Sequence, residues 1–173
     1  QGMDILIDLA DELRDRTDVG FLFVGRGTEK ERLTKLSQKK SLNNIVFHDE
    51  IDSDAIPGLL KTCSIGLIAL DPKHKSHNIP GKFLSYIQAG LPVLARINPN
   101  TDLEHLIKRE ALGEVYTGND AKPFSICAMK LLDSESSLKE IRTNGKAYFR
   151  ANYSVSAAAT NIIKSLPDKS NNG

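Results

Sequence analysis

Short, uninterrupted apolar runs separated by amphipathic helical stretches limit this chain to few architectures. Phe21-Leu22-Phe23-Val24 and Ile65-Gly66-Leu67-Ile68-Ala69-Leu70 are apolar at successive positions rather than at alternate ones. A strand with one wet face alternates; a run like these suits a strand covered on both faces. Between the runs, apolar residues recur at helical spacing, as in Leu6, Leu9, Ala10 and Leu13. Alternating strand and helix of this kind predicts an α/β domain with a parallel sheet and helices on both sides.

The spacing predicts helices over 3–13, 29–38, 52–63, 80–89, 101–111, 123–132, 136–150 and 156–166. Strands are predicted over 21–24, 44–47, 65–70, 91–95 and 114–116. Thr28 is expected to cap the second helix, and Thr101-Asp102-Leu103-Glu104 has capping-box spacing. Pro80 and Gly90 bracket the 80–89 helix in the usual order. No internal repeat or linker divides the chain. One domain over 1–166 is expected, followed by a disordered tail, 167–173. The series opens on a helix where a doubly wound sheet would open on a strand with a glycine-rich turn. The chain therefore reads as a fragment cut at Gln1, its first strand missing.

A chain of 173 residues with net charge +1 carries no basic stripe or patch, so nucleic acid is not an expected partner. No run of eighteen apolar residues and no signal-peptide pattern occurs. Cys63 and Cys127 lie in apolar helical contexts and are expected to be buried thiols, in keeping with a reducing cytosol. Four scattered histidines do not have metal-ligand spacing, and no metal or cofactor is expected.

Ligands of open α/β sheets bind beyond the carboxyl ends of the strands, and three segments of this chain fall there. In Gly25-Arg26-Gly27, the glycines admit a ligand to the backbone and Arg26 offers a cation; equally, glycine punctuates a strand-to-helix turn. His48-Asp49-Glu50-Ile51-Asp52 is either a recognition turn or solvated charge. In His77-Asn78-Ile79-Pro80-Gly81-Lys82-Phe83 a helix starts at the sheet edge. Its free N–H groups, its dipole and Lys82 together would suit a phosphate. The competing reading is ordinary helix-start chemistry with a solvated lysine.

The stretch Pro80-Gly81-Lys82-Phe83-Leu84-Ser85-Tyr86-Ile87-Gln88-Ala89-Gly90-Leu91-Pro92-Val93 resembles the nucleotide-sugar signature of family 4 retaining glycosyltransferases. Gln1-Gly2-Met3-Asp4, Val24-Gly25-Arg26-Gly27, Asn44 to Phe47, the strand end Ala69-Leu70 and the closing helix after Tyr153-Ser154 match in order as well. The resemblance implies the donor-binding, C-terminal half of a two-domain GT-B fold: a Rossmann-like doubly wound sheet. It implies that His77, Asn78, Ile79, Pro80, Gly81 and Lys82 hold the diphosphate and donor sugar. Gly25, Arg26, Gly27, Glu50, Ile51, Asp52, Phe83 and Ser85 are placed around the nucleoside. No catalytic residue is assigned to this half.

Three positions depart from the family pattern. His77 and Ser85 stand where the family carries glutamates, and Gln1 where it carries a phosphate-binding lysine. Ser85 should hold a ribose more weakly than a carboxylate would. The resemblance further implies metal-independent transfer of a sugar from a nucleoside diphosphate, uridine diphosphate foremost, to a hydroxyl with retention. The setting implied is surface polysaccharide synthesis, such as O-antigen or capsule. An N-terminal domain absent from this chain would hold the acceptor, lipid-linked at the inner-membrane surface of an otherwise cytoplasmic protein. This chain alone would then be inactive. Two rivals stand beside this reading. A nucleotide-sugar epimerase shares the architecture but needs acid/base residues that the sequence does not display. A non-catalytic nucleotide-binding module is favoured by Ser85 and His77.

Overall fold

The computed structural model describes residues 2–71 and 79–154. Along them run α1 (Asp4–Glu12), β1 (Phe21–Val24), α2 (Thr28–Lys39), β2 (Ile45–His48), a 3-10 turn (Ser53–Ala55) and α3 (Ile56–Thr62). There follow β3 (Gly66–Ala69), α4 (Gly81–Ala89), β4 (Val93–Arg96), α5 (Asp102–Arg109), β5 (Gly113–Tyr116), α6 (Ala121–Leu132) and α7 (Glu135–Tyr153). Every expected strand forms, with ends shifted by two residues at most. The expected helix over 156–166 and the tail 167–173 lie outside the described residues, as do Gln1, His77 and Asn78.

Local chemistry accounts for most of the boundaries. The Thr101 hydroxyl accepts the Glu104 N–H at 3.2 Å and caps α5. The Glu104 carboxylate reaches back past Thr101 to the Asn100 N–H at 2.7 Å, so an orphan donor outside the helix is satisfied too. Thr28, in contrast, is the first residue of α2 and makes no cap bond; Gly27 occupies the cap position. Pro80 stands at the cap of α4 in an extended conformation, with Gly81 the first helical residue. Cys63 and Cys127 are free thiols, half-buried rather than buried.

All ladders are parallel: β1 pairs with β2, and β4 lies between β3 and β5. The alternation predicts one continuous sheet, whereas the five strands divide into two. No ladder joins β1 to β3. Between them lies an open slot lined by Leu22, Phe23 and Val24 on one side and Leu67 on the other.

The middle strand β4 is buried along its whole length. Leu94 packs into a cluster built from α1, β1 and α6, while Val93 and Ala95 pack into a second cluster with α4 and α5. Successive side chains thus enter cores on opposite faces, as expected of a strand covered on both sides. Phe83 and Phe124, one in each cluster, are fully buried. Each contributes about 2–3 kcal/mol of hydrophobic stabilisation. Gly113 lets β5 approach β4: its φ is +152°, and a β carbon there would lie 1.9 Å from the Val93 carbonyl oxygen. Any side chain would push the two strands apart.

Candidate functional site

The carboxyl ends of the strands gather most of the sequence-selected residues. Gly27, at φ +108°, turns the chain from β1 into α2 through a conformation that L side chains rarely adopt. Arg26, held out by this turn, meets Glu50 of the loop after β2 at 2.7 Å. Lys30 of α2 meets Asp49 of the same loop at 2.5 Å. Exposed pairs of this kind add little stability, but two side by side fix one loop against the other. Lys30 also holds the Asp49 carboxyl below the usual carboxylate range. Asp52 is exposed, and its carbonyl accepts the Ala55 N–H at 2.9 Å to open the 3-10 turn.

A cavity of about 240 Å³ opens at this edge, lined by Gly25, Arg26, Glu29, Lys30, Lys82 and Tyr86 around an apolar floor. It unites the first and third segments selected from the sequence. Helix α4 opens without a side-chain cap from Pro80, and among the described residues the Gly81 and Lys82 N–H groups meet no acceptor, so they can face an anion. Lys82 keeps an exposed side chain, yet protein around its stem thins the water and lowers its pKa; among the described residues no charged partner opposes this. An ammonium with no counter-ion among the described residues, beside helix amides that meet no acceptor among them, is a place where negative charge is favoured.

Not every selected residue faces the cavity. Phe83 is fully buried in the core beneath α4, so it can offer a ligand only its main chain. Ser85, half-buried, does not line the cavity; Tyr86, one helical turn beyond Lys82, does. Ile79 and Pro80 are half-buried at the entry to α4, Gly81 is exposed there, and Ile51 is half-buried outside the cavity. A second cavity, of about 810 Å³, lies at the amino ends of β1 and β2. Its arginines are engaged, Arg14 by Asp11 and Arg16 by Asp18 and Asp133. The smaller cavity has the position; its Arg26 and Lys30 are engaged by Glu50 and Asp49, and Lys82 is its cation with no charged partner among the described residues.

Arg96 escaped the sequence reading. It ends β4, is 3% exposed, and donates to the Leu70 carbonyl at 2.6 Å and the Gly118 carbonyl at 2.9 Å, with Asn119 taking a third bond. Burial lowers its pKa, while the nearby Asp71 carboxylate pulls the other way. The planar fork lets one buried cation tie the ends of β3 and β4 to the turn after β5. The signal was present in the sequence: an arginine closing a fully apolar run. Among the described residues, no group of three or more His, Cys, Asp or Glu side chains is placed to hold a metal. None of their helices is long and apolar enough to cross a membrane.

A sequence model of the family described as "Glycosyl transferases group 1" matches residues 1–134. The chain belongs to that family. Among relatives of this group 1 glycosyltransferase chain is the putative colanic acid biosynthesis glycosyl transferase WcaI of Escherichia coli (strain K12), 31% identical over 106 residues. That match takes in 61% of this chain and 26% of WcaI, so the chain spans about a quarter of its curated relative. The structure of Anabaena Alr3699/HepE in complex with UDP-glucose superposes with a TM-score of 0.73 at 19% identity, covering 96% of this chain and 45% of that one. WaaG, a glycosyltransferase involved in lipopolysaccharide biosynthesis, superposes with a TM-score of 0.70 at 21% identity, over 96% and 44%. The group 1 chain therefore shares the parallel α/β fold of GT-B glycosyltransferases.

Proposed function

We propose that this chain is the donor-binding part of a retaining glycosyltransferase that moves a sugar from a nucleoside diphosphate, UDP foremost, to an acceptor hydroxyl. The observation that carries the proposal is the convergence of Arg26, Lys30, Lys82 and the open start of α4 on one cavity at the carboxyl edge. The family membership makes the activity class fit, and the bound UDP-glucose of the HepE relative makes the donor class fit.

In this reading the diphosphate lies over the start of α4. The N–H groups of Gly81 and Lys82 and the Lys82 ammonium meet the charge that grows as the sugar leaves. Such fixed donors act most strongly where charge develops, so they lower the barrier rather than only tightening binding. Arg26 and the Glu50–Asp52 loop border the nucleoside. No metal takes part, because the helix start and lysine supply the positive field. The acceptor, and any group that receives its proton, belong to residues outside this chain. Colanic acid and lipopolysaccharide synthesis in the relatives make a surface polysaccharide the fitting product class.

The test is transfer by the intact protein from UDP-sugars in chelator, with the product anomer read by NMR. Transfer with retention supports the proposal. Binding of UDP without turnover of any donor would favour a non-catalytic nucleotide module, and inversion at C2 of the sugar would make the protein an epimerase.

A further inference from the structure

Arg96 sits where an apolar side chain of similar size would fill the same space without losing the hydration of a charge. It is 3% exposed, and each of its three nitrogens donates to a neutral oxygen. Nη1 reaches the Leu70 carbonyl at 2.6 Å, Nε the Gly118 carbonyl at 2.9 Å, and Nη2 the Asn119 amide oxygen. The side chain leaves β4 on the face of Leu94, towards α1 and α6. Three bonds from one planar fork run in fixed directions, so what they supply is position.

The residue so positioned is Leu70. Arg96 holds it twice: the Leu70 N–H donates to the Arg96 carbonyl at 3.0 Å, and the Leu70 carbonyl accepts from Nη1. Leu70 in turn joins two walls of the smaller cavity, to which α4 gives Lys82 and Tyr86 and α1 gives Met3 and Leu6. Its side chain packs against the core cluster that takes in Ile79 and Phe83, on either side of the first residues of α4. Its carbonyl oxygen faces Gly2, where a β carbon would lie 3.2 Å away, and Gly2 leads directly into Met3. Leu67, three residues earlier on the same strand, lines the cavity as well.

With the donor site read as proposed, we infer that Arg96 is a positioning residue for the diphosphate: by holding Leu70 at both its N–H and its carbonyl, it seats the start of α4 against the start of α1 and so fixes the aim of the Gly81 and Lys82 N–H groups. It touches no ligand itself. The nucleoside side of the site, Arg26 and the loop after β2, belongs to strands that no Arg96 bond reaches. Removing the fork therefore disturbs the diphosphate and spares the nucleoside. Charge alone does not replace it, because an ammonium cannot donate from one plane to three acceptors set apart in this way.

Calorimetric titration of the intact protein with UDP and with uridine tests this in two variants. Arg96→Lys keeps the charge and loses the fork; Asn119→Ala removes one of the three bonds at an exposed residue, a change the fold tolerates. UDP should bind about tenfold more weakly to Arg96→Lys and about threefold more weakly to Asn119→Ala, with uridine unchanged in both. Thr101→Ala, which uncaps α5 just beyond β4, is the comparison: it should lower the melting temperature and leave UDP affinity alone. A purely structural Arg96 would lower melting temperatures and no affinity. Unchanged UDP affinity in Arg96→Lys, a matching loss for uridine, or a matching UDP loss in Thr101→Ala would overturn the inference and leave the donor site standing. If Arg96→Lys does not fold, Asn119→Ala decides, and unchanged UDP affinity there overturns the inference. No UDP binding to the unaltered protein would overturn the donor site and the inference together.

Discussion

Replacing Lys82 with alanine should weaken binding of a nucleoside diphosphate and leave the bare nucleoside untouched. The Lys82 ammonium stands at the start of α4 with no charged partner among the described residues, so a diphosphate there would supply it a counter-ion. A hydrogen bond to a charged group contributes about 1.5–3 kcal/mol. Lys82 is exposed, so water and salt screen the contact and the lower end applies: about 1.5 kcal/mol, or roughly tenfold in Kd. Calorimetric titration of the intact protein with UDP and with uridine measures this, and the UDP deficit should shrink in high salt. The pH dependence has a definite sign. Desolvation lowers the pKa of free Lys82, and a bound diphosphate would raise it again. Between the two values the complex holds more protons than the free protein. UDP affinity should therefore fall with rising pH before an ordinary lysine would titrate, and Lys82→Ala should flatten that fall. Equal losses for UDP and uridine, or no loss for either, would remove the diphosphate from this helix.

Ser85→Glu, restoring a carboxylate where the family carries one, should tighten UDP binding by about 1 kcal/mol, roughly fivefold in Kd; unchanged affinity by calorimetry would take the ribose off this position. Gly113→Ala should destabilise the protein by at least about 3 kcal/mol in urea unfolding, because a β carbon would collide with the Val93 backbone at 1.9 Å at a φ foreign to alanine. A loss below about 1 kcal/mol would mean that β5 can retreat from β4 at little cost. Thr101→Ala should cost about 1 kcal/mol through the lost α5 cap, with UDP affinity unchanged.

Strand β4 was legible because burial on both faces writes itself as consecutive apolar residues: Val93, Leu94 and Ala95 enter two different cores; the Phe21–Val24 run suggested the same for β1, where Leu22 and Val24 are instead exposed. The Thr101 cap was legible because its hydrogen bonds are local in sequence. Thr28 misled because a hydroxyl caps a helix only when the backbone turns at that residue, and here the turn comes one residue earlier, at Gly27, which leaves Thr28 inside α2. The division of the sheet was not legible, since the pattern of one strand does not say which edge another will reach. Within the candidate site, the segment from Gly25 to Gly27 and Lys82 were selected from turn and helix-start chemistry, and the structure brings Gly25, Arg26 and Lys82 to one cavity. Lys30 and Tyr86 were passed over because they join that cavity through tertiary packing. Phe83 was selected for its place in a motif, but its side chain serves the core. Arg96 went unremarked because its partners, Leu70, Gly118 and Asn119, are at least 22 residues away in sequence.

On the proposed reading, the start of α4 and the Lys82 ammonium hold a nucleoside diphosphate without help from a metal. Titration of the intact protein with UDP, once in magnesium and once in excess chelator, tests it most directly. Saturable binding with the same Kd in both buffers is the predicted result; binding that disappears with the chelator, or no binding in either, would contradict it.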